Sequence, residues 1–351
     1  MKVAITGETG FLGYHLTQYL RYQLGYEVVS LSRNYIDNIQ LAKDCDWLIH
    51  CAGVNRSNDV YGDNFAITRA LTTELYAHGI NINVAFISSV LEDMDTPYGK
   101  SKQVCKHMLA KYCSDAGTEF ISYRLPNLFG PFGKPNYNSV VATFCHNIVN
   151  GIDSQINDGS VQLCYVYDAI NTISKFDQTH TYVTTSISIK DLYQKLHSFH
   201  QLYSNGIIPE LTTKFDIQLF NTYRSFTMSI HKFIRHTDER GYLIELLKSN
   251  MSQSQMFVSV TKPGVTRGNH FHFNKIERFC VLKGSANISM RKLGSDDIIQ
   301  YIVTDDMDMV IDMPVLYTHN IANIGDSDLV CMFWTNEIFD KEQPDTYFIK
   351  V

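Results

Sequence analysis

"VAITGETGFLG" runs from Val3 to Gly13, and its reading decides the first half of the molecule. A short apolar run leads into Gly7, Gly10 and Gly13, spaced three apart, and apolar residues at helical spacing follow. The pattern predicts a strand, a tight turn and a helix opened by Phe11 and Leu12. Glycines let such a backbone approach a pyrophosphate closely, while the helix start offers free N–H groups and the positive end of a dipole. A glycine-rich turn alone can be only a turn. Its place directly after the first strand favours dinucleotide binding by Gly7, Gly10, Phe11, Leu12 and Gly13.

Outward from this turn, "EVVSLS", "DWLIHCAG", "NVAFISS" and "TEFISYRLPNLFG" read as strands, with the helical "NFAITRALTTELYAHGI" among them. Apolar strands separated by helices imply a parallel sheet covered on both faces, an α/β doubly wound, Rossmann-type domain. After about Thr227 the texture changes to strand-like runs divided by Gly, Asp and Pro, as in an antiparallel sandwich or barrel. The boundary is expected between Phe226 and Asp238, giving domains 1–228 and 229–351.

A chain of 351 residues suits two domains, and 44% apolar with 19% charged residues is a globular composition. A formal charge of −6 offers no basic excess for general nucleic-acid or membrane-surface binding. The opening reads as a buried strand rather than a leader, and no apolar run has the length of a membrane span. The eight cysteines are scattered without paired spacing, which reads as reduced thiols in a cytoplasmic protein.

The second strand ends in "LSR". An acid there would bind the ribose 2′-hydroxyl of NAD, whereas Arg33 suits the 2′-phosphate of NADP, so NADPH is the expected cofactor. A solvated loop arginine is the plain alternative. Further on, Tyr98 and Lys102 in "PYGKSK" stand four apart, on one face if helical. A tyrosine exchanging a proton near neutrality needs a shift of roughly three units from its reference value. A lysine ammonium and an oxidised nicotinamide can supply much of it. Ser89, at a strand end, can hold the same substrate oxygen. Among 21 tyrosines a lone Tyr-x-x-x-Lys is close to noise. In order with the glycine turn and the strand-end serine it is a signal.

These residues resemble the extended branch of the short-chain dehydrogenase/reductase superfamily. "HCAGVN" resembles the strand beside the cofactor, placing Ala52 there. "RLPNLFGPFG" resembles the segment after the catalytic helix, with Arg124, Asn127 and Gly130 in step and Leu125 beside the cofactor. The resemblance implies Ser89, Tyr98 and Lys102 as the catalytic trio. It also implies Arg56, Asn127, Lys134, Asn138 and Ser139 on a nucleotide sugar. Dehydratases of this branch carry acids directly after the serine or threonine. Val90 and Leu91 stand there in this chain, with Glu92 a position later, so carbonyl reduction is expected rather than elimination. The stretch from Arg33 to the next strand is also shorter than is usual for the fold.

The second half carries "PGVTRGNHFHFNKIERFCVLKG", from Pro263 to Gly284. It resembles the first cupin motif, and "MPVLYTHNIAN" the second, with Leu316 where a glycine is usual. Alternate strand residues share a side, so His270 and His272 point into one barrel, joined by Glu277 and His319. Three imidazoles and a carboxylate suit Zn, Fe, Mn or Ni. "DERGYLIE" and "RGNH" resemble the sugar 3,5-epimerases, in which the residue matching His270 is the base. A metal-bound imidazole has no free lone pair for that role. With metal present the base lies elsewhere, Tyr317 and Lys262 being the residues considered.

A proton leaves C3 or C5 of a sugar only while C4 is a ketone, so an epimerase must precede a reductase on the same substrate. That pairing, with "CAGVNR", "PNLFGPFGKPNYNSVVATFC", "YTHNI" and "QPDTYF", makes the whole chain similar to the CapF family of bifunctional capsular polysaccharide synthesis enzymes. The similarity implies C3 epimerisation of a UDP-2-acetamido-2,6-dideoxy-4-hexulose, then NADPH-dependent reduction to UDP-2-acetamido-2,6-dideoxy-L-talose. It further implies zinc in the barrel and a homodimer. The alternative is a single-activity 4-keto-sugar reductase whose cupin domain serves dimerisation or gating.

Overall fold

Five apolar segments form the first sheet: β1 (Lys2–Thr6), β2 (Glu27–Leu31), β3 (Trp47–His50), β4 (Asn83–Ser89) and β5 (Phe120–Leu125). They pair in the order β2-β1-β3-β4-β5, every pair parallel. Successive residues of β1 and β3 are buried on both faces, as in a parallel sheet covered by helices. One face packs Ala4, Leu48, Val84 and Phe86 against Leu71 and Leu75 of the helix Val60–Ala77. Leu109 and Tyr112 of the helix Pro97–Ala116 complete that layer.

The computed structural model describes residues 1–31, 38–227, 230–232, 235–238, 241–244, 248–249, 254–337 and 340–351. From β1 the chain runs outward to β2 and then crosses back to β3, so the carboxyl ends of β1 and β3 diverge at a switch point. The link between β2 and β3 is as short as the sequence suggested. Its described part holds one 3-10 turn, Ile39–Ala42, and no strand. Gly7 sits at the switch point with φ +73°, and a Cβ on it would lie 2.7 Å from Ala52 N. A Cβ on Gly13 would lie 2.1 Å from Gly7 O. Both positions exclude any larger residue.

The second unit contains two five-stranded sheets. One runs Ile230–Lys232, Met309–Met313, Glu277–Lys283, Leu329–Thr335, Gln255–Thr261, all antiparallel. The other runs Ile298–Thr304, Ser285–Lys292, Tyr317–Asn323, Thr266–Phe271, Tyr347–Phe348, also antiparallel. Phe279, Met313 and Phe333 of the first pack with Ile288, Met290 and Ile321 of the second in one core. This is the all-β architecture expected after the Rossmann-type domain.

By contacts, the first unit is Met1–Thr143 with Asp158–Ile189, and the second is Phe144–Asn157 with Lys190–Val351. The grouping differs from the 1–228 and 229–351 division expected from the change in texture. The helices Ile189–Tyr203 and Lys214–Arg224 belong by their contacts with the β-rich half, and the reason is electrostatic. Arg278, 1% exposed, makes a two-point ion pair with Asp312, Nε to Oδ1 at 2.7 Å and Nη2 to Oδ2 at 3.0 Å. Its remaining donor reaches Gly206 O at 2.8 Å, and Tyr203 donates to Asp312. Arg224 donates to Met313 O at 2.8 Å. A capping box of Thr213 and Asp216 starts the second of these helices.

None of the eight cysteines, all among the described residues, forms a disulfide, and no helix among the described residues is long and apolar enough to cross a membrane. Replacing Asp312 by alanine leaves the Arg278 charge buried without its partner. The Asp312→Ala variant should lose about 3–5 kcal/mol of stability in denaturant unfolding followed by tryptophan fluorescence.

Candidate active site and candidate metal centre

In the first unit β4 ends at Ser89, whose Oγ accepts from Leu91 N at 3.2 Å and so caps the turn Val90–Asp93. Thr96 caps the next helix by accepting from Gly99 N at 3.0 Å, with Pro97 in its first turn. Tyr98 and Lys102 follow one turn apart. Lys102 Nζ donates to Ile87 O at 3.0 Å and lies 5.7 Å from the centre of the Tyr98 ring. A Cβ on Gly53 would be 3.6 Å from the same Nζ, which brings the "CAG" loop over the lysine. Burial raises the Tyr98 pKa, a Ser89 hydrogen bond pulls it back, and Tyr137 raises it. Burial lowers that of Lys102.

The structure therefore gathers Ser89, Tyr98 and Lys102 beside the glycine turn. Leu125 is the register partner of Ser89 at the same sheet end, and the Phe11 ring lies against Gly130. Arg33 lies outside the described residues. The places where elimination needs acids, Val90 and Leu91, are exposed apolar side chains. Glu92 is turned inward, accepting from Ser88 Oγ at 2.5 Å and Lys106 Nζ at 2.8 Å, while Gln103 donates to its backbone oxygen. Its pKa is lowered because these two donors outweigh its burial. Arg124 pairs with Asp93 in the same turn.

Of the residues expected on a nucleotide sugar, Arg56 donates to Asn138 Oδ1 at 2.6 Å and Lys134 Nζ lies 4.9 Å from the centre of the Tyr137 ring. Tyr137 OH accepts from Asn55 N at 3.3 Å, so these side chains share one loop cluster. Ser139 Oγ accepts from Ala142 N at the start of the helix Val140–Val149, and Asn127 opens the short strand Asn127–Phe129. Two residues escaped the sequence reading. Buried Asn64 clamps Val54 by its N–H and C=O, at 2.8 and 2.9 Å, and donates to Ser101 Oγ at 3.1 Å. Its signal was a polar residue in the apolar stripe of its helix. His15 bonds Tyr167 OH at 2.8 Å and Pro131 O at 2.7 Å, contacts too distant in sequence to read.

In the second unit a bulge between Gly268 (φ +98°) and His270 interrupts the pairing with Tyr317–Asn323. It sets His270 opposite His319. The ligand atoms of His270, His272, Glu277 and His319 all lie within 4.8 Å of one another. His272 Nδ1 is held by Asp345 O at 2.5 Å and His319 Nδ1 by Tyr317 O at 3.1 Å, which turns each Nε2 inward. Both Nε2 atoms stand 3.1 Å from Glu277 Oε2, yet all three buried atoms lack an aligned hydrogen bond. They converge on a common point, which is what a coordinated cation satisfies, and the donor set fits zinc. His272 and His319 hold the Glu277 carboxyl well below the usual range against its burial. Burial, then His319 and His272, push His270 down to about 3, which leaves its imidazole neutral.

A cavity of about 360 Å³ opens on this cluster, walled also by Gln255, Phe257, Lys275, Thr335, Thr346 and Phe348. Tyr317 and Lys262, the residues considered as bases, are not in its wall, whereas Lys275 is. Leu316 explains the missing glycine of the second motif. It holds φ +61°, a glycine conformation, and is fully buried, its N–H bonded to His272 O at 3.0 Å. Strain of roughly 1–2 kcal/mol is offset by burial of the side chain.

The family model described as "NAD dependent epimerase/dehydratase family" matches residues 3–181, and that of the polysaccharide biosynthesis C-terminal domain matches residues 236–347. A UDP-2-acetamido-2,6-beta-L-arabino-hexul-4-ose reductase of Pseudomonas aeruginosa is 33% identical over 369 aligned positions, covering 100% of this chain and 99% of that protein. The capsular polysaccharide assembling protein CapF of Staphylococcus aureus is 33% identical in sequence. Its crystal structure aligns with a TM-score of 0.60 over 100% of both chains. A probable low-salt glycan biosynthesis epimerase, Agl13 of Haloferax volcanii, is 26% identical over 121 residues, 31% of this chain and 78% of that protein. The chain belongs to the NAD-dependent epimerase/dehydratase family and, over its whole length, to the CapF group of capsular polysaccharide proteins.

Proposed function

We propose that the protein is a bifunctional nucleotide-sugar enzyme. The β-rich unit inverts C3 of a UDP-2-acetamido-2,6-dideoxy-4-hexulose. The Rossmann-type unit then reduces C4 with NADPH to UDP-2-acetamido-2,6-dideoxy-L-talose, for a capsular or surface polysaccharide. One observation carries the reading: a gathered Ser/Tyr/Lys set and a converging His/Glu cluster occur in a single chain. The reductase name of the Pseudomonas relative supports the second step, and the epimerase name of the archaeal relative accords with the first. Zinc in the barrel, a homodimer and a cytoplasmic location belong to the same proposal, and Arg33 supports NADPH over NADH.

For the reduction, a nicotinamide dinucleotide with its pyrophosphate at Gly7, Gly10 and Gly13 would supply hydride. Tyr98 gives its phenolic proton to the C4 oxygen, Ser89 Oγ holds that oxygen, and Lys102 stabilises the phenolate left behind. For the epimerisation, the carbonyl at C4 acidifies the C3 hydrogen, which passes as a proton to a base, and a proton exchanged with solvent then adds to the other face. A cation held by His270, His272, Glu277 and His319 would draw electron density from that carbonyl. Fusion in one chain raises the local concentration of the second catalyst.

Incubation of the 4-keto substrate in deuterated water without NADPH should place deuterium at C3. Intact reduction without deuterium would leave the β-rich unit non-catalytic, as in the single-activity alternative. The Tyr98→Phe variant should lose about 10²–10⁴ of the reduction rate and keep C3 exchange. A loss of both contradicts separate chemistry in the two units.

The pH dependence has a definite sign. Burial, partly opposed by Ser89, keeps the Tyr98 pKa above the ordinary tyrosine value. The donor thus holds its proton through neutrality and loses it only as pH rises. Reduction rates should stay flat through the neutral range and fall only at the alkaline end, above the ordinary tyrosine value. Zinc added to chelator-treated protein should raise its thermal midpoint, because the preformed cluster binds it more tightly than the unfolded chain does. His319→Ala should abolish that rise.

A further inference from the structure

We infer that Asp345 is a positioning residue for the metal centre, acting from a strap formed by residues 344–351. The inference rests on the metal reading above. The Asp345 carboxylate accepts from three consecutive backbone N–H groups, Phe273 at 3.0 Å and Asn274 and Lys275 at 2.8 Å each. These residues form the loop between the ligands His272 and Glu277. The Asp345 backbone oxygen accepts from His272 Nδ1, so one residue holds both the loop and the ring. Asp345 adopts φ +42°, a left-handed conformation that a short polar side chain bonded to its neighbourhood tolerates.

The rest of the strap follows the ligand strands. Lys275 Nζ donates to Pro344 O at 2.7 Å. Phe348 and Tyr347 pair with His270 and Phe271. Thr318, beside the ligand His319, donates to Ile349 O at 2.5 Å, and Ile349 N donates to Asn269 O at 2.9 Å. Thr346 and Phe348 also wall the cavity.

The consequence is chemical. An imidazole ligates through one nitrogen only if the proton sits on the other, and the ring must not rotate. The Asp345 carbonyl sets both for His272. The carboxylate keeps that carbonyl in place, since without it the three N–H groups lose their shared acceptor and the loop is freed.

The experiment uses the full chain, stripped with a chelator, and titrates zinc against a chromophoric competitor for wild type, Asp345→Ala and Asp345→Asn. Cobalt absorption of each reports ligand geometry. Asp345→Ala should bind zinc about 10- to 100-fold more weakly and give a shifted, weaker cobalt band. Asp345→Asn, which keeps an acceptor oxygen, should lose less. A merely structural role would lower the metal-free thermal midpoint while leaving zinc affinity and the cobalt band unchanged, and that result overturns the inference. If Asp345→Ala does not fold, wild-type affinity and cobalt band in Asp345→Asn overturn it equally. A wild-type protein that binds neither metal overturns the metal reading and this inference together. A wild type that binds while Asp345→Ala matches it overturns the inference alone.

Discussion

The second unit depends on the buried pair of Arg278 and Asp312. Alternation along the strand Glu277–Lys283 sends Glu277 to the cluster of His270, His272 and His319 and Arg278 to the opposite face. A guanidinium taken out of water costs several kcal/mol unless paired and fully hydrogen-bonded. The sheet supplies Asp312, but Gly206 O and the Tyr203 hydroxyl come from the helical segment. The strand that carries Glu277 is thus satisfied only with those helices docked. This is why residues after Ile189 go with the β-rich half although their sequence texture is that of the first.

The first unit uses a buried acid in a comparable way. Glu92 gathers Ser88, Lys106 and, through its backbone, Gln103. Those partners flank Ser89 on one side and Lys102 on the other, so the acid braces the strand end against the helix Pro97–Ala116. Gly99 permits the close approach, since a Cβ there would lie 2.3 Å from Met94 O. Each Glu92 oxygen thus accepts from a donor of the same bracing set, which turns the acid inward rather than toward solvent.

Local chemistry was legible and long-range chemistry was not. Gly7, Ser89, Tyr98 and Lys102 could be read because a turn, a strand end and a helical i,i+4 spacing each leave a mark within a few residues. His270, His272 and Glu277 could be read because alternation fixes which side a strand residue faces. Asp345 lies about 70 positions from the loop it holds, and Arg278 some 34 from its partner, so no window of sequence joins them. Leu316 was legible only as an oddity. Its meaning, a left-handed residue whose side chain fills the core, needed the backbone angle.

One physical term prepares both centres, and its sign depends on the charge of the group. Burial raises the pKa of Tyr98, whose acid is neutral, and so keeps its proton in place. Burial lowers that of His270, whose acid is charged, and so leaves a lone pair free on its imidazole. It lowers that of Lys102 as well, which works against the ammonium, and the Ile87 carbonyl, as a hydrogen-bond acceptor, favours the protonated form. A proton donor and a metal ligand therefore ask the same thing of the fold, exclusion of water. What separates the two sites is which neighbours remain: a serine and a lysine around a phenol in one, a carboxylate and two further imidazoles in the other.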